Sequence, residues 1–112
     1  MSGRTPVLAR PGRFSGTEPM NLEQIRRRRA EIERIASRYG AHDIRIFGSV
    51  ARGEAGPDSD LDVLVRFEPG RSLLDQAGLQ LDLIDLLGCQ VDVISEGALE
   101  AGHRILRDAV AL

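Results

Sequence analysis

Residues 48–65 read GSVARGEAGPDSDLDVLV, and the order of residue types along this stretch governs how the rest of the chain is read. From Asp60 to Phe67 polar and apolar side chains alternate with the period of two that a half-buried strand requires. Asp60 and Asp62 therefore share one face, and Leu61, Val63 and Val65 share the other. Upstream, Ile44 to Phe47 is a short apolar run with two β-branched residues placed directly before Gly48, a strand feeding a tight turn. Ser49 to Arg52 is a brief helical turn stopped by Gly53, and the loop EAGPDS over 54–59 carries Gly, Pro, Asp and Ser.

On a strand, side chains two residues apart emerge from one face about 6–7 Å apart at the backbone, so Asp60 and Asp62 can converge on one divalent cation. Two carboxylates this close disfavour joint ionisation unless a positive charge neutralises them. Oxygen ligands without His or Cys select Mg²⁺ or Mn²⁺, and Mg²⁺ commonly shares phosphate oxygens with a bound substrate. At the Gly48-Ser49 turn, missing side-chain bulk and exposed N–H groups let a phosphate approach the backbone, and Ser49 adds a hydroxyl. Each feature alone is a weak signal; their order and spacing, with ten residues between Ser49 and Asp60, make the combination specific.

Working outward, Asn21 and Gln24 form a capping-box pattern ahead of Leu22, Ile25, Arg29, Ile32, Ala36 and Tyr39, which repeat as an amphipathic helix ended by Gly40. On the other side, Ser72 and Asp75 resemble a second capping box. Leu73, Leu74, Ala77, Leu81, Ile84 and Leu87 then keep a helical period as far as Gly88. Gln90 to Ile94 reads as a third strand with Asp92 between Val91 and Val93, and Ser95 is placed to cap a last helix through Leu99, His103, Leu106 and Val110. The order is αβαβαβα, an α/β (α+β) chain with a small mixed sheet of three to four strands and helices mainly on one side. Residues 1–18, rich in Gly, Pro and Arg without apolar period, read as a loosely ordered tail, which leaves 19–112 as the domain.

Composition narrows the function classes. At 112 residues one small core is all the chain can build, and the single Cys89 offers neither an internal disulfide nor, with His42 and His103, a zinc site. Cys89 reads as buried filler rather than a nucleophile. No apolar run approaches a membrane span or a signal core, so a cytoplasmic setting is expected. A formal charge of −2 lacks the basic excess of a protein that binds nucleic acid electrostatically. All fifteen basic residues are Arg, a pattern that fits coding bias. Arg26 to Arg29 point around most of a helix circumference and form no single patch. Arg52 can reach phosphate from its turn or pair with Glu54 or Asp58, and Ser59 can orient the neighbouring loop or simply close a turn.

In GSVARGEAGPDSDLDVLV the chain resembles the nucleotidyltransferase superfamily that includes DNA polymerase β, whose signature is Gly-Ser, a short spacer and Asp-x-Asp among apolar neighbours. QVDVIS supplies Asp92 where that superfamily carries a third carboxylate, and the resemblance covers roughly residues 21 to 112. It implies the nucleotidyltransferase palm-like fold, with Gly48 and Ser49 on triphosphate oxygens, assisted by Arg52 and Ser59. Asp60, Asp62 and Asp92 would be both catalytic and metal-holding, with two Mg²⁺ ions when substrate is bound. The length and motif look like the minimal nucleotidyltransferase antitoxins paired with HEPN-family toxins, which implies AMP transfer from ATP to a tyrosine hydroxyl of the toxin. Two other readings stand beside this one: neutralisation of a partner by occlusion, and transfer to a small aminoglycoside-like acceptor that needs a second subunit.

Overall fold

The computed structural model describes residues 21–56 and 59–112, so the tail expected at the N-terminus and Asp58, one possible partner of Arg52, lie outside the described residues. The elements run α1 (Leu22–Arg27), α2 (Arg29–Arg38), β1 (Ala41–Phe47), α3 (Gly48–Arg52), β2 (Leu61–Phe67), α4 (Leu73–Leu87), β3 (Val91–Ser95), a 3₁₀ turn (Glu96–Ala98), α5 (Arg104–Asp108) and β4 (Val110–Ala111). They build a four-stranded mixed sheet of order β3-β2-β1-β4. β2 pairs antiparallel with β1 and parallel with β3, the latter through the α4 crossover. This is the small mixed sheet expected from the sequence.

Local chemistry explains the boundaries. Both capping boxes are formed: Asn21 Oδ1 accepts from the Gln24 N–H at 2.8 Å, and the Asp75 carboxylate accepts from the Ser72 N–H at 2.9 Å. Gly88 stops α4 in the left-handed region. The first predicted helix is in fact two, broken at Arg28, and the four arginines around the break diverge. Arg26 donates to the Ala111 carbonyl, while Arg27, Arg28 and Arg29 pair with Glu23, Glu31 and Glu33.

The core lies between the sheet and the α1, α2 and α4 helices. Ile25, Ile32 and Ala36 from the first two helices and Leu79, Leu83 and Leu87 from α4 cover Leu61, Val63, Val65, Val91 and Val93. Fully burying such a side chain stabilises by about 1.5–3 kcal/mol relative to exposure, so this layer holds the domain together. The other face of the sheet carries Asp62 and Asp92.

Three further expectations are corrected. The α4 stripe read from the sequence mixed two faces: Leu79, Leu83 and Leu87 are buried, whereas Leu73, Leu74 and Leu81 are 80%, 83% and 64% exposed. Apolar residues occupy both sides of α4, and periodicity alone cannot choose between them. β1 begins three residues earlier than expected, because a bulge between His42 and Arg45 absorbs the polar Asp43 at φ 58°, and Arg66 of β2 pairs with it. The long last helix is replaced by a 3₁₀ turn, the short α5 and the strand β4, whose Val110 and Ala111 pair with Ile46 and Arg45. Gly97 and Gly102 interrupt that segment, and Gly102 takes a positive φ that a continuous helix could not hold.

Candidate active site

β2 and β3 bring two carboxylates together directly. Asp62 and Asp92 are register partners on the parallel pair, so their side chains leave the same face from backbones about 4.8 Å apart. Asp60 stands one residue before β2, where the Leu61 N–H donates to the Gln90 carbonyl at 2.9 Å and fixes the start of the strand. None of the three carboxylates makes an ion pair or hydrogen bond with another described residue. Burial pushes the Asp62 carboxyl above its ordinary range, with Asp92 and then Asp60 adding to the effect and Arg52 opposing it. The three carboxylates concentrate negative charge, which Arg52 among the described residues offsets at Asp62.

Among the described residues no group of three or more His, Cys, Asp or Glu side chains is gathered closely enough to hold a metal ion by itself. The chemistry of the donor set nonetheless suits a hard cation: carboxylate oxygens of like charge, partly dehydrated, on one open face. Such a set offers part of a coordination sphere.

The turn after β1 closes against these carboxylates. Phe47 pairs with Asp62 across the antiparallel ladder, so Gly48 is the first residue beyond it. Gly48 has φ 76°, and a β-carbon there would overlap Oδ2 of Asp62. The turn and the carboxylate occupy adjoining space, and only glycine satisfies both the backbone and the contact. Val50 is buried and anchors α3, which keeps Ser49 half exposed beside the carboxylates.

Ser59 uses its hydroxyl to accept from the Gly56 N–H at 2.8 Å, while its own N–H donates to the Gly56 carbonyl, so it closes the loop before Asp60. Arg52 pairs with exposed Glu54 at 2.8 Å. Burial and the nearby Asp60 push the Cys89 thiol up to about 11, which keeps it protonated and fits its reading as filler. His103 caps α5 by accepting from the Ile105 N–H at 3.1 Å.

Sequence reasoning missed two residues that position this site. β3 is an edge strand, and its outward backbone groups at Val93 are taken by α4: Gln76 donates to the Val93 carbonyl at 2.7 Å, and Gln80 accepts from the Val93 N–H at 3.0 Å. Together they hold the strand one residue from Asp92 and cover an edge that would otherwise invite pairing. The available signal was a pair of glutamines one turn apart, flanking Leu79 within the buried stripe.

Comparison with known proteins identifies the family and the fold. The model of the nucleotidyltransferase domain family matches residues 26–110. The protein adenylyltransferase MntA of Thermococcus cleftensis is 41% identical over 72% of this chain and 84% of its own length. Among solved structures, one assigned as a minimal nucleotidyltransferase superposes with a TM-score of 0.73 at 52% identity, covering 83% of this chain and 97% of that one. A toxin–antitoxin structure with AMP-PNP shares the fold at a TM-score of 0.63 and 17% identity, covering 73% of this chain and 69% of that one. No described helix is long and apolar enough to cross a membrane.

Proposed function

Because this chain belongs to the nucleotidyltransferase domain family, we propose that it transfers AMP from ATP to a hydroxyl of a partner protein and acts as the antitoxin of a toxin–antitoxin module. The observation that carries the reading is the pairing of Asp62 with Asp92 on adjacent strands, with the Gly48-Ser49 turn closed against Asp62. The protein adenylyltransferase name of the relative at 41% identity and the toxin–antitoxin assembly that shares the fold support the substrate and the role. A HEPN-type toxin with a tyrosine hydroxyl is the partner we favour.

Each residue then has a task. Gly48 leaves room for the triphosphate at the backbone, Ser49 offers its hydroxyl to a phosphate oxygen, and Arg52 adds positive charge. Ser59 shapes the loop that delivers Asp60. Mg²⁺, held by Asp60, Asp62 and Asp92 with remaining positions left to water and phosphate oxygens, would neutralise the triphosphate and the departing pyrophosphate. The acceptor oxygen forms a bond to the α-phosphorus, and the bond from that phosphorus to the bridging oxygen breaks in line. Pyrophosphate departs with that oxygen, and the hydroxyl proton passes to Asp92 and on to water. Catalysis rests on positioning and charge, since phosphoryl transfer asks little covalent work of a protein.

The test is to incubate the protein with ATP, Mg²⁺ and the product of the adjacent gene, and to weigh the partner by mass spectrometry. We expect one or more added AMP units, abolished by Asp60→Asn with Asp62→Asn. A partner of unchanged mass would sink the proposal.

A second reading, neutralisation by occlusion, is favoured by the exposed Leu73, Leu74 and Leu81 on α4, which offer apolar area to a partner. The same double substitution separates the two. An occluding binder still suppresses its partner's toxicity without the carboxylates, and an enzyme does not.

A further inference from the structure

α4 carries two apolar stripes, and the described residues cover only one of them. At about 100° per residue, Leu79, Leu83 and Leu87 point to the sheet, whereas Leu73, Leu74, Ala77 and Leu81 fall within roughly 100° of one another, centred about 130° away. These four residues are exposed, the three leucines by 64% or more. No polar side chain interrupts them. Asp75 accepts from the Ser72 N–H, Gln76 and Gln80 turn to the β3 edge, and Gly78 lies against the ring of Tyr39. The first charged residue on this side is Asp85, one turn beyond Leu81. A stripe of this width is what a helix presents to a core or to another helix.

We infer that this stripe is an interface with a second copy of the chain, in which two α4 helices pack antiparallel across a two-fold axis beside Ala77. The spacing is self-complementary: Leu74 and Leu81 stand seven residues apart, and the small Ala77 lies between them. Leu74 of one copy then meets Leu81 of the other, and the contact occurs twice, as an isologous interface requires. Ala77 lets the two helix axes approach to about 8–10 Å. The same arrangement brings Arg71, just ahead of α4 and still 35% exposed beside Glu68 and Asp75, toward Asp85 near the end of the other α4. Opposite charges thus border the apolar seam at both ends, whereas a parallel pairing would set like charges together. The stripe faces away from the sheet, and Asp62 and Asp92 lie on the sheet's other side, so both sites of such a pair stay open. This pairing is independent of the transfer reading, and it gives to a second copy the leucines that the occlusion reading gives to a partner.

The experiment is sedimentation equilibrium of the full chain, without nucleotide or partner, from about 1 μM to about 1 mM. One helix face is smaller than the roughly 800 Å² per partner of a standard interface, so the expected result is a monomer–dimer equilibrium with a dissociation constant of about 10–100 μM. Leu74→Glu and Leu81→Glu should each weaken it by about tenfold or more, because a carboxylate enters the apolar seam. Far-ultraviolet dichroism unchanged from the natural protein shows that these variants are folded, as expected for exposed side chains. Ala77→Cys in a Cys89→Ser background should form an intermolecular disulfide on oxidation, and Ala30→Cys, exposed on α2, should not. A monomer at every concentration overturns the inference, as does a dimer that both leucine variants leave intact. A protein that is monomeric alone but binds the product of the adjacent gene through Leu74 and Leu81 overturns it in favour of occlusion. The outcome is separable from that of the transfer reading. If the partner is never modified but the leucine variants dissolve a dimer, the pairing stands and the transfer reading fails. If the partner is modified and the chain never pairs, the reverse holds.

Discussion

Gly48 and Asp62 exclude each other's bulk: a β-carbon on Gly48 would overlap Oδ2 of Asp62, and the glycine's φ of 76° is one that L side chains rarely adopt. Gly48→Ala therefore faces backbone strain and displaces the carboxylate. We expect a stability loss of about 1–2 kcal/mol. Transfer should fall much further, by about a hundredfold, because a shift on the order of 1 Å at a reacting group costs that much. Urea melts beside initial rates of AMP transfer check this, and a rate loss no larger than the stability loss predicts would refute it.

Asp62 and its neighbours should trade stability for charge. Burial, Asp92 and Asp60 raise the Asp62 carboxyl above its ordinary range. A folded-state value raised in this way contributes stability below the ordinary carboxylate range, and that stability is lost as pH rises through the raised value. At neutral pH without metal the ionised group is a liability. Asp62→Asn should raise the metal-free melting temperature by roughly 2–5 °C while abolishing transfer. Mg²⁺ should raise the melting temperature of the natural protein and not that of the variant. Scanning calorimetry with and without Mg²⁺ decides.

At the other end of the sheet the sign is reversed. Glu96 accepts from Arg66 of β2 at 2.8 Å and from Arg45 of β1, and these arginines hold its carboxyl below the ordinary range. A lowered folded-state value contributes stability above the ordinary range, lost as pH falls through the lowered value. Glu96→Gln should lower the melting temperature at pH 7 by roughly 2–5 °C, a modest effect because Arg66 is half exposed. The gap between the two proteins should close as the solution is acidified below the ordinary carboxylate range. A gap that stays constant with pH would show that charge is not the cause.

The clamp on β3 makes a separate prediction. Gln80→Ala leaves the N–H of Val93 unpaired in a buried position, at a cost of about 1–3 kcal/mol. Faster amide exchange at Val93, together with weaker Mg²⁺ binding through Asp92, should accompany it. Amide exchange that is unchanged at Val93 would remove Gln80 from the support of the site.

Much of this protein was legible before any coordinates. The Gly-Ser turn, the alternating strand of Asp62 and the two capping boxes are local features, decided within a few residues by steric and hydrogen-bonding rules that tertiary context left intact. The tertiary structure alone decided three other matters. It chose Leu79, Leu83 and Leu87 over Leu73, Leu74 and Leu81, because α4 is apolar on both sides and only the sheet's position selects one. It replaced a long last helix with α5 and β4, because the unpaired edge of β1 takes Val110 and Ala111 as a strand, a long-range pairing that no local pattern records. It also brought Asp92 opposite Asp62 and set Arg104 across a cleft from Arg52. Those residues lie far apart in the chain, and their meeting follows from sheet register and from the path of the backbone around it.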